Sequence, residues 1–513
     1  MHNQLLEIHI CLIYVQNLEC FFLILSIGLA SNMAQAEKIL RIAVDSLPPY
    51  LGHPFGSTAR PTSFTNSAIF DGLIQFDKEG NIFPRLALQW ENIDTKTWRF
   101  TLRDNVFFSN GTKLTSESLK ATVDWLSSDE SLRDGVRTEI PFLETARIVD
   151  DLTVDIITKI PVPEMPRYAG SLLLVEPTLF KEQGRQKYSE NPIGTGPFKL
   201  KQWGSSIIEM DANITSWRPP KVDKLEIIAL SNPSGRLQAL MSDRADVATG
   251  LGPDDILTVE SSGGVMETWL DASVAAISFV TIKDGPIGNY KVRQALNYAV
   301  NKQAIIDALL GGLTKPASQG ISHNAYGYNE DLEPYPFDPD LAKSLLKDAG
   351  YESGFTFQFI TQTGSGSNSL IFQQIASDLS KVGVKMIIKQ MPAAAYLRAV
   401  LRDPDHAGAD AHSLVWPAWP TFDALRALQT HSCNRSAPWH CDRKLQPLID
   451  QALIEWDGEK GLLLRKKLMK LTRDSAPAIF LFESPEFTGL SKNVTGYYQF
   501  YGFVAYDKID VLN

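Results

Sequence analysis

The sequence has no G-x-x-x-x-G-K-[ST] nucleotide loop, no H-E-x-x-H zinc helix, no G-x-S-x-G nucleophile elbow and no G-x-G-x-x-G after a strand. The usual starting points for phosphoryl transfer, metalloproteolysis, acyl transfer and dinucleotide chemistry are therefore missing, and nothing calls for a cofactor. Basic patches are missing too: the formal charge is −10 and is spread along the chain, which excludes nucleic acid as a partner. There is no repeat at 20 to 50 residues and no low-complexity linker, so solenoids and strings of separate domains are excluded. Nor is there an apolar run of membrane-spanning length, since "CFFLILSIGLA", residues 20–30, is too short to cross a bilayer.

That run is followed by Ala34-Gln35-Ala36, the pattern of an export leader with its cleavage site. The stretch before it carries Glu7 and Glu19 and no Lys or Arg, which departs from the usual positive leader start. Residues 1–36 are read as a signal peptide and the mature protein as periplasmic. Cysteine is scarce. Cys11 and Cys20 fall within the leader, and no small-residue lipobox precedes Cys20. Cys433 and Cys441, in "HSCNRSAPWHC", remain. A metal site with His431 and His440 competes with a disulfide. An oxidising compartment and a spacing that matches no standard zinc pattern favour the disulfide.

What is present is a globular composition, 44% apolar and 21% charged, and a mixture of strand and helix patterns. A strand "LRIAV" leads to a helix expected over "TSFTNSAIFDGLIQF". "TWRFTLRDNVFFSNGTKL" alternates apolar and polar residues and contains Asn110-Gly111, a hairpin signal. The helix "TSESLKATVDWLSS" starts at a Thr115 or Ser116 cap. "KLEIIAL", "PSGRLQALMSD" and "ADVAT" read as strand, helix and strand. A second α/β region opens with "AAISFVTI" and one long helix, "YKVRQALNYAVNKQAIIDALL". It continues through "DPDLAKSLLKDAG", closed by Gly350, and a βαβ unit of "FTFQFIT", "NSLIFQQIASDLSKVG" and "KMIIKQM". Its last strand is expected at "HSLVW". The fold class is α/β, with mixed sheets flanked by helices. The six histidines after the leader, His53, His323, His406, His412, His431 and His440, are scattered through loops and strand ends and read as solvated or structural.

Taken in order, "TWRFTLRDNVFFSNGTKLTSESLKATVDW", "NPIGTGPFKL", "RLQALMSDRADVA", "VRQALNYAVNKQAII" and "DPDLAKSLLKDAGY" resemble family 5 of the extracellular solute-binding proteins, the peptide, nickel and opine receptors of bacterial ABC importers. The resemblance covers nearly the whole mature chain. It implies a two-lobe clamp that closes on a solute and delivers it to an inner-membrane permease with its ATPase subunits, acting as a monomer and not as an enzyme. Lobe I would comprise 37–75, 190–270 and 476–513, with a strand-rich subdomain inserted at 76–189, and lobe II would comprise 271–475. Gly194, Gly196 and Pro197 are expected to set a turn at the entry to a strand, and Arg293 to anchor helix packing.

Four loops would then face the ligand. They are Asp45, Ser46 and Leu47 after the first strand; Thr363, Gly364 and Ser365 in "TQTGSGS"; Trp416, Pro417, Trp419 and Asp423 in "SLVWPAWPTFD"; and Tyr498 near the C-terminus. "TQTGSGS" also reads as a plain flexible connection, and packing beneath the loop is the competing role for both tryptophans. In peptide receptors of this type the third loop resembles W-x-x-D-Y-x-D-P, with its first aspartate on the peptide ammonium. Here Trp419 stands at that position and Asp423 is the nearest acid. A peptide or peptide-like solute is the first expectation. An opine, sugar conjugate or metal chelate is the alternative, because aromatic faces suit rings and cations.

Overall fold

The computed structural model describes residues 37–363 and 368–512. The expected signal peptide, with Cys11 and Cys20, and the expected site residues Gly364 and Ser365 lie outside the described residues. The strands of the main sheet are β1 (Ile39–Val44), β2 (Phe198–Trp203), β3 (Ile207–Ala212), β4 (Lys224–Ala229), β5 (Val247–Thr249), β6 (Val265–Phe279), β7 (Phe355–Gln362), β8 (Val384–Met391), β9 (Ala411–His412), β10 (Trp416–Pro417) and β11 (Ala478–Leu490). Among the described residues their order is β8-β7-β9-β6-β11-β5-β1-β4-β3-β2, and β10 pairs with β6 off this path.

The apolar content of the strands explains the layering. β1 is buried along most of its length and lies parallel to both β4 and β5, with the helix Pro233–Met241 crossing between them. This is the expected βαβ unit, and β3 and β2 extend it as an antiparallel meander. At the other end, β7 and β8 are parallel and joined by the helix Asn368–Ser380, the second expected βαβ unit. β6 and β11, of 15 and 13 residues, run antiparallel through both regions. At about 3.3 Å per residue β6 spans roughly 50 Å, long enough to serve two cores. One core contains Leu40, Ile42, Leu225 and Ile227, and the other Ile277, Phe279, Leu296, Phe359 and Val384.

Between the pairs Leu270–Pro485 and Val274–Glu483 the ladder slips. Asp271, Ala272 and Ser273 there face Ser484 alone, a bulge of the kind that bends a strand and redirects side chains. Ala87–Asp94, Thr97–Leu102, Thr153–Thr158 and Leu143–Ile148 form a separate, smaller antiparallel sheet. No helix among the described residues is long and apolar enough to cross a membrane.

Several local expectations require correction. The helix expected over "TSFTNSAIFDGLIQF" ends at Ile69, and Ile74–Phe76 is a strand. Its continuation is lost because the Asp71 carboxylate is drawn into a buried cluster, accepting bonds from Arg85 Nε at 2.7 Å and Arg218 Nε at 2.8 Å. The long helix after "AAISFVTI" is two, Tyr290–Ala299 and Lys302–Leu309, because Val300 is extended and Asn301 caps the second by accepting from the Ala304 amide at 3.0 Å. Thr115 occupies the N-cap position but makes no side-chain cap bond. The Asn110-Gly111 tip turns as expected, with Gly111 at φ +87°, but the flanking residues form only a single bridge, Phe107 to Lys113. "HSLVW" is interrupted, since only Ala411–His412 and Trp416–Pro417 pair.

Other expectations hold. Gly350 ends its helix at φ +85°. Arg293 is buried and donates to the carbonyls of Ala476, Ile287, Gly288 and Ser475. The "GTGPF" turn enters β2 against the end of the first helix, where a Cβ on Gly194 would lie 1.9 Å from the Ile69 carbonyl oxygen. Gly194→Ala is therefore expected to cost about 1–3 kcal/mol through overpacking. Gly235→Ala, on an open helical face with nothing within 4 Å, is expected to stabilise by about 0.5–1 kcal/mol. Urea unfolding of both variants checks the opposite signs.

Candidate functional site

Where the β6–β11 ribbon passes from one core to the other, the carboxyl ends of β1, β5 and β7 face a common space. A cavity of about 640 Å³ lies there, within the roughly 300–1,000 Å³ typical of small-molecule sites. Asp45 follows β1 on one wall, Asp271 and Ser273 come from the bulge, and Ser484 to Phe487 come from β11. Thr361 and Gln362 end β7, and Ser413, Leu414 and Val415 bridge β9 and β10.

One side of the cavity is charged. Arg60 donates through Nη1 and Nη2 to both oxygens of Glu486, each at 2.8 Å, and Nη2 lies 3.4 Å from Asp271 Oδ2. Ser273 Oγ donates to the same Oδ2 at 3.0 Å. Asp271 Oδ1 is buried with no hydrogen-bond partner. Desolvation pushes this carboxyl up to about 6, against the pull of Arg60 and with a further upward contribution from Glu486. The Arg60 guanidinium lies 5.6 Å from the Tyr501 ring centre. Tyr501 in turn stacks on Trp419 at 4.6 Å, whose Nε1 donates to the Thr58 carbonyl at 2.7 Å.

The opposite side is uncharged and hydroxylic. Ser413 Oγ lies 2.9 Å from Thr361 Oγ1 and 3.2 Å from the Tyr396 hydroxyl. Arg236, also on the wall, donates to the carbonyls of Thr249, Gly250 and Leu230 at 2.6, 2.7 and 2.7 Å and so shapes the loop after β5.

Of the residues expected at the site, Asp45 lines the cavity. Ser46 is exposed and Leu47 packs against the core. Thr363 is exposed and extends the β7–β8 ladder through its amide, while the lining falls to Thr361 and Gln362. Tyr498 is half-buried beneath the Lys78 ammonium, 5.3 Å from the ring, and its neighbours Gln499 and Tyr501 reach the cavity instead. Trp419 stands behind Tyr501.

Two expectations are overturned by burial. Trp416 is only 1% exposed. It pairs with Val274 across β6 while Pro417 pairs with Ser273, and its ring stacks on His431 at 3.7 Å and meets Phe480 edge-on. Strand alternation turns Val415 to the cavity and Trp416 to the core. Asp423 cannot anchor an ammonium group because both of its oxygens are taken, by Arg465 Nε at 2.9 Å and Nη2 at 2.8 Å. Oδ1 also caps the helix Ala424–Thr430.

Arg60, Asp271, Glu486, Ser413, Thr361, Tyr396 and Tyr501 were not singled out from the sequence. Thr361 and Ser413 open two of the loops expected to face the ligand, and Asp271 is the single acid in the largely apolar run "WLDASVAAISFV".

Behind Ser413–Val415 lies a histidine cluster tied by the Cys433–Cys441 disulfide, as expected for these cysteines. His431 accepts from Trp439 Nε1 at 3.1 Å, His412 packs edge-on to Trp439, and His440 Nδ1 is 2.8 Å from Thr281 Oγ1. Burial pushes His412 down to about 3, helped by His406 and Arg435. It pushes His440 down to about 4 and His431 well below its ordinary value.

A family model, the bacterial extracellular solute-binding proteins, family 5 Middle, matches residues 81–435. The dipeptide-binding protein of Escherichia coli strain K12 is 28% identical over 488 residues, covering 85% of this chain and 89% of that protein. The glutathione-binding protein GsiB of Pectobacterium atrosepticum is 26% identical over 495 residues, covering 92% and 93%. Among solved structures, the periplasmic binding protein DppA of Helicobacter pylori in complex with the peptide STSA superposes with a TM-score of 0.79 at 21% identity, covering 93% of this chain and 99% of that one. The fold is thus that of the two-lobe periplasmic binding proteins.

Two predictions follow from the burial of these side chains. Arg465→Leu leaves the Asp423 carboxylate unpaired in the core and is expected to cost about 3–5 kcal/mol, measured by urea unfolding. In the unfolded chain the imidazoles take protons near pH 6.5, whereas the native cluster resists them. The unfolded state therefore binds more protons over that window, and stability falls as pH drops from about 6.5 towards about 3. The urea midpoint should drop steadily between about pH 7 and pH 4.5, and less steeply in His412→Asn. Equal slopes for the two proteins would contradict the role given to His412.

Proposed function

The chain belongs to family 5 of the bacterial extracellular solute-binding proteins and has the substrate-binding role in ABC transport; we propose that its solute is a short peptide or a peptide-like molecule. The observation that carries this reading is the 640 Å³ cavity at the ribbon crossing, with ion-paired charges on one wall and hydroxyls on the other. Such a lining suits a compact solute with charged and amide groups, since each buried polar group of the solute needs a partner. The names of the relatives support the same chemistry, dipeptide in one case and the tripeptide glutathione in the other.

In this reading residues 1–36 export the chain to the periplasm. Residues 37–75, 190–270 and 476–513 form lobe I, with 76–189 inserted, and 271–475 form lobe II. The lobes close about the β6–β11 ribbon, and the solute stabilises the closed state through contacts to both. The closed monomer delivers it to an inner-membrane ABC permease and its ATPase subunits, with no catalysis of its own.

Native mass spectrometry of the protein isolated from its own periplasm tests this. A retained mass, or a ladder of masses, that fragments to amino-acid units is expected. A single retained species with no amino-acid fragments would overturn the peptide reading.

A further inference from the structure

A buried carboxylate oxygen in the cavity wall has no hydrogen-bond partner among the described residues. Asp271 is 6% exposed, its Oδ2 is engaged by Ser273 and Arg60, and its Oδ1 has no partner. A buried anionic oxygen without a hydrogen bond is costly, and folds keep such groups at sites where a ligand completes them. Neither guanidinium on the wall is free to turn to it. Arg60 is held by both oxygens of Glu486, and Arg236 is spent on backbone carbonyls.

The charge balance points the same way. Among the described residues, Asp45, Asp271 and Glu486 line the cavity against Arg60 and Arg236, one more carboxylate than guanidinium. The bulge fixes Asp271 there, because the residue has no partner of its own across the β6–β11 ladder.

We propose that Asp271 is the anchor for a cationic group of the captured solute, through a charge-assisted bond to Oδ1. Resting on the peptide-like reading above, this group is the free ammonium of the solute. The anchor thus comes from the β6 bulge and not from the tryptophan loop, where Trp419 is committed to Tyr501 and Thr58 and Asp423 to Arg465. The charge then disfavours solutes whose amine is blocked, since acylation removes the positive charge and leaves at most one neutral donor for Oδ1.

The test uses the full mature chain and two probes: a defined pool of alanyl and leucyl di- and tripeptides, and the same pool N-acetylated. Intrinsic tryptophan fluorescence follows titration of wild type and Asp271→Asn, with thermal melting as a check on folding. The free-amine pool should bind wild type at least tenfold more tightly than the acetylated pool. Asp271→Asn should lose at least tenfold for the free-amine pool and lose the discrimination. Equal binding of the two pools by wild type overturns the anchor alone while the peptide reading stands, and that comparison needs no variant. Undiminished binding of free amines by folded Asp271→Asn overturns it as well. No binding of either pool removes the peptide reading, and the ammonium anchor with it.

Discussion

The antiparallel pairing of β6 with β11 is the constraint on which the rest of the molecule depends. The two long strands belong to both cores, so each half of the sheet is completed by the same pair of segments. A ribbon of two strands is stiff along its length and compliant in twist and bend, which makes it the natural axis between two bodies. The bulge at Asp271 to Ser273 concentrates that compliance at one point. The same irregularity places polar side chains at the crossing, where an unbroken ladder would present its regular alternation. The register slip and the charged lining of the cavity therefore coincide in residues 270–274 and 483–487.

The two walls of the cavity differ in a way that follows from their backbones. The charged wall is assembled from segments far apart in the chain, with Arg60 reaching Glu486 across 426 positions and Asp271 across 211. The hydroxyl wall is assembled around β7 and the Ser413–Val415 segment, with the histidine cluster and Trp439 beneath it. The rigid, neutral, aromatic packing behind that wall leaves Ser413 and Thr361 few alternatives to their present positions. In contrast, the charged wall is held by charge-assisted bonds between Arg60 and its two carboxylate partners.

The parts of the fold legible in the sequence were those fixed locally. The second βαβ unit, the Gly350 helix end and the Cys433–Cys441 link depend on residues close in the chain, whereas the first βαβ unit is joined through β1 and the glycine turn before β2 closes against Ile69. The parts that were not legible depend on distance or on a single step of register. Nothing near Asp71 shows that Arg85 and Arg218 will draw it out of a helix. Nothing in "SLVWPAWPTFD" decides whether Val415 or Trp416 faces the cleft, because one residue of slip exchanges the two faces. Asp423 looked available because its partner, Arg465, lies 42 positions on, in another helix. The unpaired oxygen of Asp271 appears only when strands from both ends of the chain are brought together.

The placement of β11 also governs timing. A chain made from its amino end completes β5 and β6 long before Ala478 exists, and until then neither core has the strand that lies between them. Through most of synthesis the polypeptide thus carries two unfinished sheets, with the apolar edges of Val247, Ala248, Ile277 and Phe279 uncovered. The last long strand lies between β6 and β5 and completes the sheet on both sides. A chain of this topology cannot complete its central sheet until Ala478–Leu490 has been made.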